Sequence, residues 1–173
     1  MNYYNENDPF AAAWLRQLIA AGHIPAGDVD DRSMLEVQPD DLKGYRQCHF
    51  FAGIAGWPLA LQLARWPEDH EIWTGSPPCQ PFSTAGQRKG YDDARHLTPQ
   101  WLYLISQCRP PTIVGEQVAS AASGKQWAWL DDLQDALEAQ GYATGAVVLP
   151  ACSVSAPHIR QRLWFVASRV GDG

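Results

Sequence analysis

The chain has 173 residues, 46% of them hydrophobic, with a formal net charge of −6. That suffices for one domain-sized core, and the acidic balance argues against a broad, charge-driven grip on nucleic acid. No apolar run approaches the ~18 residues of a membrane span, and the opening MNYYNENDPF has neither the basic start nor the apolar stretch of a secretory signal.

NYYNE (2–6) predicts a short strand. Asp8 is placed to cap a helix with Pro9 at its first position. Phe10, Trp14, Leu15, Leu18 and Ile19 are expected on its apolar face, and Gly22 ends it. A short strand is expected near 27–29. QCHFFAG (47–53) reads as a buried strand, WPLALQLARW (57–66) as a helix opening with Pro, and EIWTG (71–75) as a strand. PQWLYLISQC (99–108) is helical, TIVGEQV (112–118) a strand, and KQWAWLDDLQDALEAQ (125–140) a helix stopped by Gly141. GAVVL (145–149) and RLWFVA (162–167) are strands. This alternation predicts an α/β domain whose mostly parallel sheet has helices on both faces. Such sheets bind ligands beyond the carboxyl ends of their strands.

The loops after the strands carry unusual residues. In GSPPCQPFS (75–83) the prolines bar a helix or a central strand, so the segment is a stiff loop presenting Cys79. The other cysteines, Cys48, Cys108 and Cys152, lie far from it and no CxxC pair occurs. They read as reduced, mostly buried thiols of a cytoplasmic protein, with no metal site expected. In FAGIAGW (51–57), Gly53, Ala55 and Gly56 serve either a close ligand approach or tight packing. Glu6 is placed to take the hydroxyls of a ribose, or stands beside the Asp8 cap. Glu116 ends an apolar strand, so its carboxylate should be partly desolvated and suited to hold or donate a proton, or else bonds a neighbouring loop. Arg160 and Arg162 have strand spacing and should point the same way. They serve an anion or a polar base, or are simply solvated. The eight tryptophans fit a Trp-rich core better than an exposed aromatic surface.

Together these motifs resemble those of the DNA (cytosine-5) methyltransferases. FAGIAGW resembles the family's FxGxGG cofactor loop. GSPPCQPFS resembles its PCQ nucleophile loop, continued by GQRKGYDDAR. GEQV resembles its ENV segment and SAPHIRQRLWFVA its QxRxR strand. YNENDPFAAAWL resembles the acidic segment that takes the cofactor ribose, and GDVD the GD turn near the adenine. The resemblance runs from about Tyr4 to Ala167. It implies a Rossmann-like methyltransferase fold binding S-adenosyl-L-methionine through Glu6, Asn7, Asp28, Val29, Phe51, Ala52, Gly53, Ile54, Gly56 and Pro78. It further implies that Cys79 adds to C6 of a cytosine flipped out of double-stranded DNA. Glu116 then binds N3 and the exocyclic amine, and Arg162, with Arg160 behind it, contacts O2 and fixes Glu116. Gln80, Ser83, Arg88, Lys89 and Arg95 are expected to meet the DNA. Residues 1–85 carry the whole net charge of −6 and 86–173 balance to zero, so a polyanion should meet the second half.

Four departures accompany the resemblance. The order is circularly permuted, since the acidic segment and GD turn precede the cofactor loop. The chain stops soon after LWFVAS, so residues 1–173 are expected to form a single catalytic domain without a target-recognition domain. Such an enzyme reads a short target, is a subunit that needs a DNA-gripping protein partner, or is an inactive relic. Ala55 stands where the family has Gly, Gln117 where it has Asn, and His158 where it has Gln. Asn7 stands where many members set an apolar or aromatic residue against the adenine. A zinc cytidine deaminase is set aside, because HxE and PCxxC are both missing.

Overall fold

A computed structural model describes residues 1–77, 97–122 and 127–171. Among these, seven strands form one sheet: β1 (Asn2–Asn5), β2 (Gly27–Asp30), β3 (Gln47–Phe50), β4 (Ile72–Gly75), β5 (Thr112–Val118), β6 (Tyr142–Pro150) and β7 (Gln161–Arg169). Their spatial order is β2-β1-β3-β4-β5-β7-β6. β1 to β5 run parallel, while β7 pairs antiparallel with both β5 and β6. Among the described residues four α-helices accompany them: α1 (Pro9–Ala20), α2 (Gly56–Leu63), α3 (Leu97–Cys108) and α4 (Trp127–Glu138). None of the described helices is long and apolar enough to cross a membrane.

The permuted order is absorbed by the sheet. β1 and β2 precede β3 in the chain yet lie outside it, toward the edge. Asn5 at the end of β1 is therefore paired with Phe50 at the end of β3. The acidic segment and the small-residue loop become neighbours although 40-odd residues separate them.

Helices cover both faces. On one, α1 packs Leu15, with Leu18 and Ile19, against Tyr4, Ile24, Ala52 and Ala55. On the other, Trp101, Leu104 and Ile105 of α3 and Leu133 and Leu137 of α4 meet Tyr3, Cys48, Phe50, Trp73 and Phe165. Trp73 and Trp101 are both fully buried there. Gly115 admits this packing, since a Cβ on it would come within 1.9 Å of the Phe165 ring.

Asp8 caps α1 as expected, its carboxylate accepting from the Ala11 N–H at 2.8 Å. The apolar face of α1 is narrower than expected. Ala11, Ala12 and Leu15 are buried, whereas Phe10 and Trp14 are exposed. At 100° per residue, positions 10 and 14 sit to one side of the stripe that Ala11, Leu15 and Leu18 form. β3 stops at Phe50 because Phe51 turns to φ 54°, and α2 stops at Leu63, shortly before Arg65 at φ 56°.

Candidate active site

The carboxyl ends of β1 to β5 lie along one edge of the sheet. β7 is antiparallel, so its first residues lie there too. Just past β1, Glu6 bridges to the loop after β3. Its Oε2 accepts from the Gly53 N–H at 2.7 Å and its Oε1 from the Asp8 N–H at 2.9 Å. The Ala52 N–H donates to the Asn5 carbonyl at 3.0 Å. Within five residues the loop takes positive φ three times, at Phe51 (54°), Gly53 (54°) and Ala55 (72°). A Cβ on Gly53 or Gly56 would meet nothing within 4 Å, so open space lies beside the backbone there. Ala52 and Ala55 are buried, and Asn7, Ile54 and Gly56 are exposed around the loop.

The short strand expected near 27–29 is present: GDVD is the whole of β2, so the GD turn of the resemblance lies within a strand. Asp28 accepts from the Tyr45 hydroxyl at 2.5 Å, and Val29 packs beside Tyr4 and Leu15. The carboxylate at the end of β2 is Asp30, which accepts from Arg32 at 2.6 Å and from the Tyr3 hydroxyl at 2.7 Å. Burial pushes the Asp30 carboxyl up, but the bonds from Arg32 and Tyr3 outweigh it and hold the group below the usual range.

At the end of β4, Ser76 and Pro77 are held from both sides. Ser76 Oγ accepts from Trp57 Nε1–H at 3.0 Å, and the Pro77 carbonyl accepts from Gln117 Nε2 at 2.9 Å. Pro78, Cys79, Gln80, Ser83, Arg88, Lys89 and Arg95 lie outside the described residues.

β5 and β7 bring Glu116 and Arg162 together. Glu116 is directly opposite Trp164, and Val118 opposite Arg162, so Glu116 and Arg162 are diagonal neighbours on one face. Arg162 Nε donates to Glu116 Oε1 at 2.6 Å, and both side chains are about one-quarter exposed (22% and 24%). The carboxylate is partly withdrawn from solvent, and its oxygen faces the guanidinium of Arg162. Arg160 departs from expectation. It precedes β7 with φ 26°, so the two-residue alternation does not reach it. The cysteines are also less uniform than expected, with Cys48 buried, Cys108 half-buried and Cys152 exposed.

Sequence reasoning noted Gln117 only as a departure from the family's Asn, and passed over the parts played by Trp57 and His49. Gln117 is buried on the face opposite Glu116, and an inward-facing amide among apolar neighbours was its signal. Trp57 is expected only as the end of the FAGIAGW loop and the start of the helix after it. His49 lies beneath the loop in β3, fully buried, stacked on Tyr4 and bonded through Nδ1 to Thr74 Oγ1 at 2.8 Å. Burial pushes its imidazole down to about 3.

The fold resembles that of solved methyltransferases. The S. pombe Dnmt2 methyltransferase superposes with a TM-score of 0.58 at 16% identity, over 100% of this chain and 52% of that one. A putative DNA modification methyltransferase encoded within an E. coli prophage superposes with a TM-score of 0.59 at 16% identity, over 98% of this chain and 47% of that one. In sequence, the C-5 cytosine-specific DNA methylase family profile matches residues 59–172, and the chain belongs to that family. The Type II methyltransferase M.AgeI of Thalassovita gelatinovora is 33% identical over 61% of this chain and 25% of its own. M.HhaI of Haemophilus parahaemolyticus is 26% identical over 79% of this chain and 53% of its own. The chain thus spans between a quarter and about half the length of these two relatives.

Proposed function

We propose that this chain transfers a methyl group from S-adenosylmethionine to C5 of a cytosine flipped out of double-stranded DNA. The observation that carries the reading is the Arg162–Glu116 pair, 2.6 Å apart at the ligand-binding edge of a sheet of this family. A carboxyl group fixed by a guanidinium is suited to grip the N3 and amino edge of cytosine, and Arg162 keeps further donors for the neighbouring O2.

The residues present fit the cofactor. Each Glu6 oxygen accepts one backbone N–H, and a carboxylate oxygen has a second lone pair with which to accept from a ribose hydroxyl. The backbone beside Gly53 and Gly56 is open to close approach. When bound there, S-adenosylmethionine supplies an electrophilic methyl group. Phe51, Ala52, Gly53, Ile54 and Gly56 would hold it with Glu6 and Asn7.

On the motif resemblance, Cys79 is the nucleophile. Its thiolate forms a bond to C6, and the C5=C6 electron pair moves to C5. Glu116, in its protonated form, gives its proton to N3 and so neutralises the negative charge that reaches it. Once C5 carries the methyl group, loss of the C5 proton and departure of the thiolate restore the double bond and the free enzyme. The prolines around Cys79 restrict the freedom of that loop before reaction.

The test is mass spectrometry of nucleosides from double-stranded DNA incubated with the protein and S-adenosylmethionine, with Cys79→Ala as control. A cytosine heavier by one methyl group that vanishes in the variant is the expected result; its mass also identifies the group transferred. The net charge of −6 favours a second reading, a catalytic subunit whose basic partner grips DNA. Cofactor binding without product, converted to product by a cognate protein, would select it.

A further inference from the structure

We infer that Trp57 is a positioning residue that joins the helix after the cofactor-type loop to the strand end leading into the Cys79 loop and to the strand carrying Arg162. The inference rests on the methyl-transfer reading above.

Trp57 sits in the first turn of α2, directly after FAGIAG, and is half-buried. A partly buried indole N–H needs an acceptor, and the ring itself can pack without one. Here the N–H donates to Ser76 Oγ at 3.0 Å. Ser76 is the first residue after β4, and its neighbour Pro77 is bonded by Gln117 from the other face of the sheet. The same indole meets the Trp164 ring edge-on, with centroids 5.6 Å apart and planes at 85°. Trp164 is the residue directly opposite Glu116. One side chain therefore touches elements leading to the cofactor-type loop, to the proposed nucleophile and to the Glu116–Arg162 pair. Packing alone would require only the ring. The bond to Ser76 fixes where β4 ends, and a misplaced reacting group costs rate more than binding.

Trp57→Phe keeps a ring against Trp164 and removes the donor, whereas Ser76→Ala removes the acceptor alone. Each is expected to lower kcat by about tenfold, the effect of one lost hydrogen bond, with the KM for S-adenosylmethionine changed by less than about threefold. The double variant should be no slower than either single variant, because both remove the same bond. Ser76→Thr retains a hydroxyl and should keep most of the rate. Unchanged kcat in Trp57→Phe, additive losses in the double variant, or a loss confined to cofactor KM would each overturn the inference.

A second measurement decides the point if the wild-type protein methylates no DNA, in which case the functional reading fails by itself. Alkylation of Cys79 is followed by peptide mass spectrometry, with the exposed Cys152 as internal reference. Freeing Ser76 should change the Cys79 rate relative to Cys152 by at least about threefold in both single variants; an unchanged ratio would refute the role of Trp57.

Discussion

Gln117 of β5 reaches the carbonyl of Pro77 beyond the end of β4, its Nε2 donating at 2.9 Å. Its Oε1 accepts from the Val118 N–H at 2.8 Å, so both ends of the amide are used. The family's Asn at this position is one methylene shorter. Gln117→Ala strips a buried carbonyl of its donor and should cost about 1–3 kcal/mol in urea unfolding. Gln117→Asn cannot span the same gap without backbone movement and should lose more than half as much. If Asn proves fully stable, the long side chain is not what holds Pro77.

The bond between Arg162 and Glu116 leads to a second expectation. Lysine keeps the charge of Arg162 but not the planar set of donors that can hold a carboxylate and still face a base. Arg162→Lys should lower kcat/KM for DNA by about tenfold or more, while calorimetry finds S-adenosylmethionine binding unchanged. A matching loss of cofactor affinity would place Arg162 in a different role.

Ala55 occupies the αL region as the cap of α2, at φ 72° and ψ 29°, with its methyl group buried. Glycine there would relieve about 1–2 kcal/mol of strain. Against this stand a lost buried methyl group, about 0.8 kcal/mol, and a freer unfolded chain, about 0.4–1 kcal/mol. Ala55→Gly should therefore shift stability by less than about 1 kcal/mol. Ala55→Val adds a branched side chain to both the strained backbone and the packed site, and should cost more than about 2 kcal/mol. Thermal unfolding of the two variants separates these cases.

His49 predicts the pH response of the fold. Its folded value of about 3 lies below the ~6.5 of an unfolded histidine. On lowering the pH, the unfolded state therefore takes the proton first. The stabilisation is fully present above pH ~6.5 and is lost as pH falls toward 3, by up to about 1.4 kcal/mol per unit. Asp30, held below the usual carboxylate range, adds a further loss only below its unfolded value of ~3.9. Between pH 6.5 and 4.5 the slope of urea-derived stability should flatten in His49→Gln. An equally steep slope in the variant would assign it to other groups.

The alternation of strands and helices was readable because buried parallel strands appear as short apolar runs, as in QCHF and IWTG. β2 was legible as a short strand near 27–29; the GD turn of the resemblance was not, since GDVD is strand throughout. Arg160 misled because the two-residue rule holds only where strand geometry has begun, and here it begins at Gln161. Glu6 was legible as a carboxylate at a strand end; its bond to Gly53 was not, since 47 positions separate them in sequence. Trp57 was hidden for the same reason. Its acceptor lies 19 positions away and is set by how α2 crosses the sheet, which no local pattern encodes.

The strand order has a consequence for synthesis. β1, β2 and β3 are the first three strands of the chain and lie side by side, with no later strand between them. β4 then joins the free side of β3, and β5 joins β4. The antiparallel hairpin of β6 and β7 attaches last, along β5. From β2 to β5, each strand emerging from the ribosome thus finds its neighbour already made, whereas β6 waits for β7 before the pair can join β5. The half of the protein that carries Glu6 and the Gly53 loop can be assembled on the nascent chain before Glu116 and Arg162 have been translated.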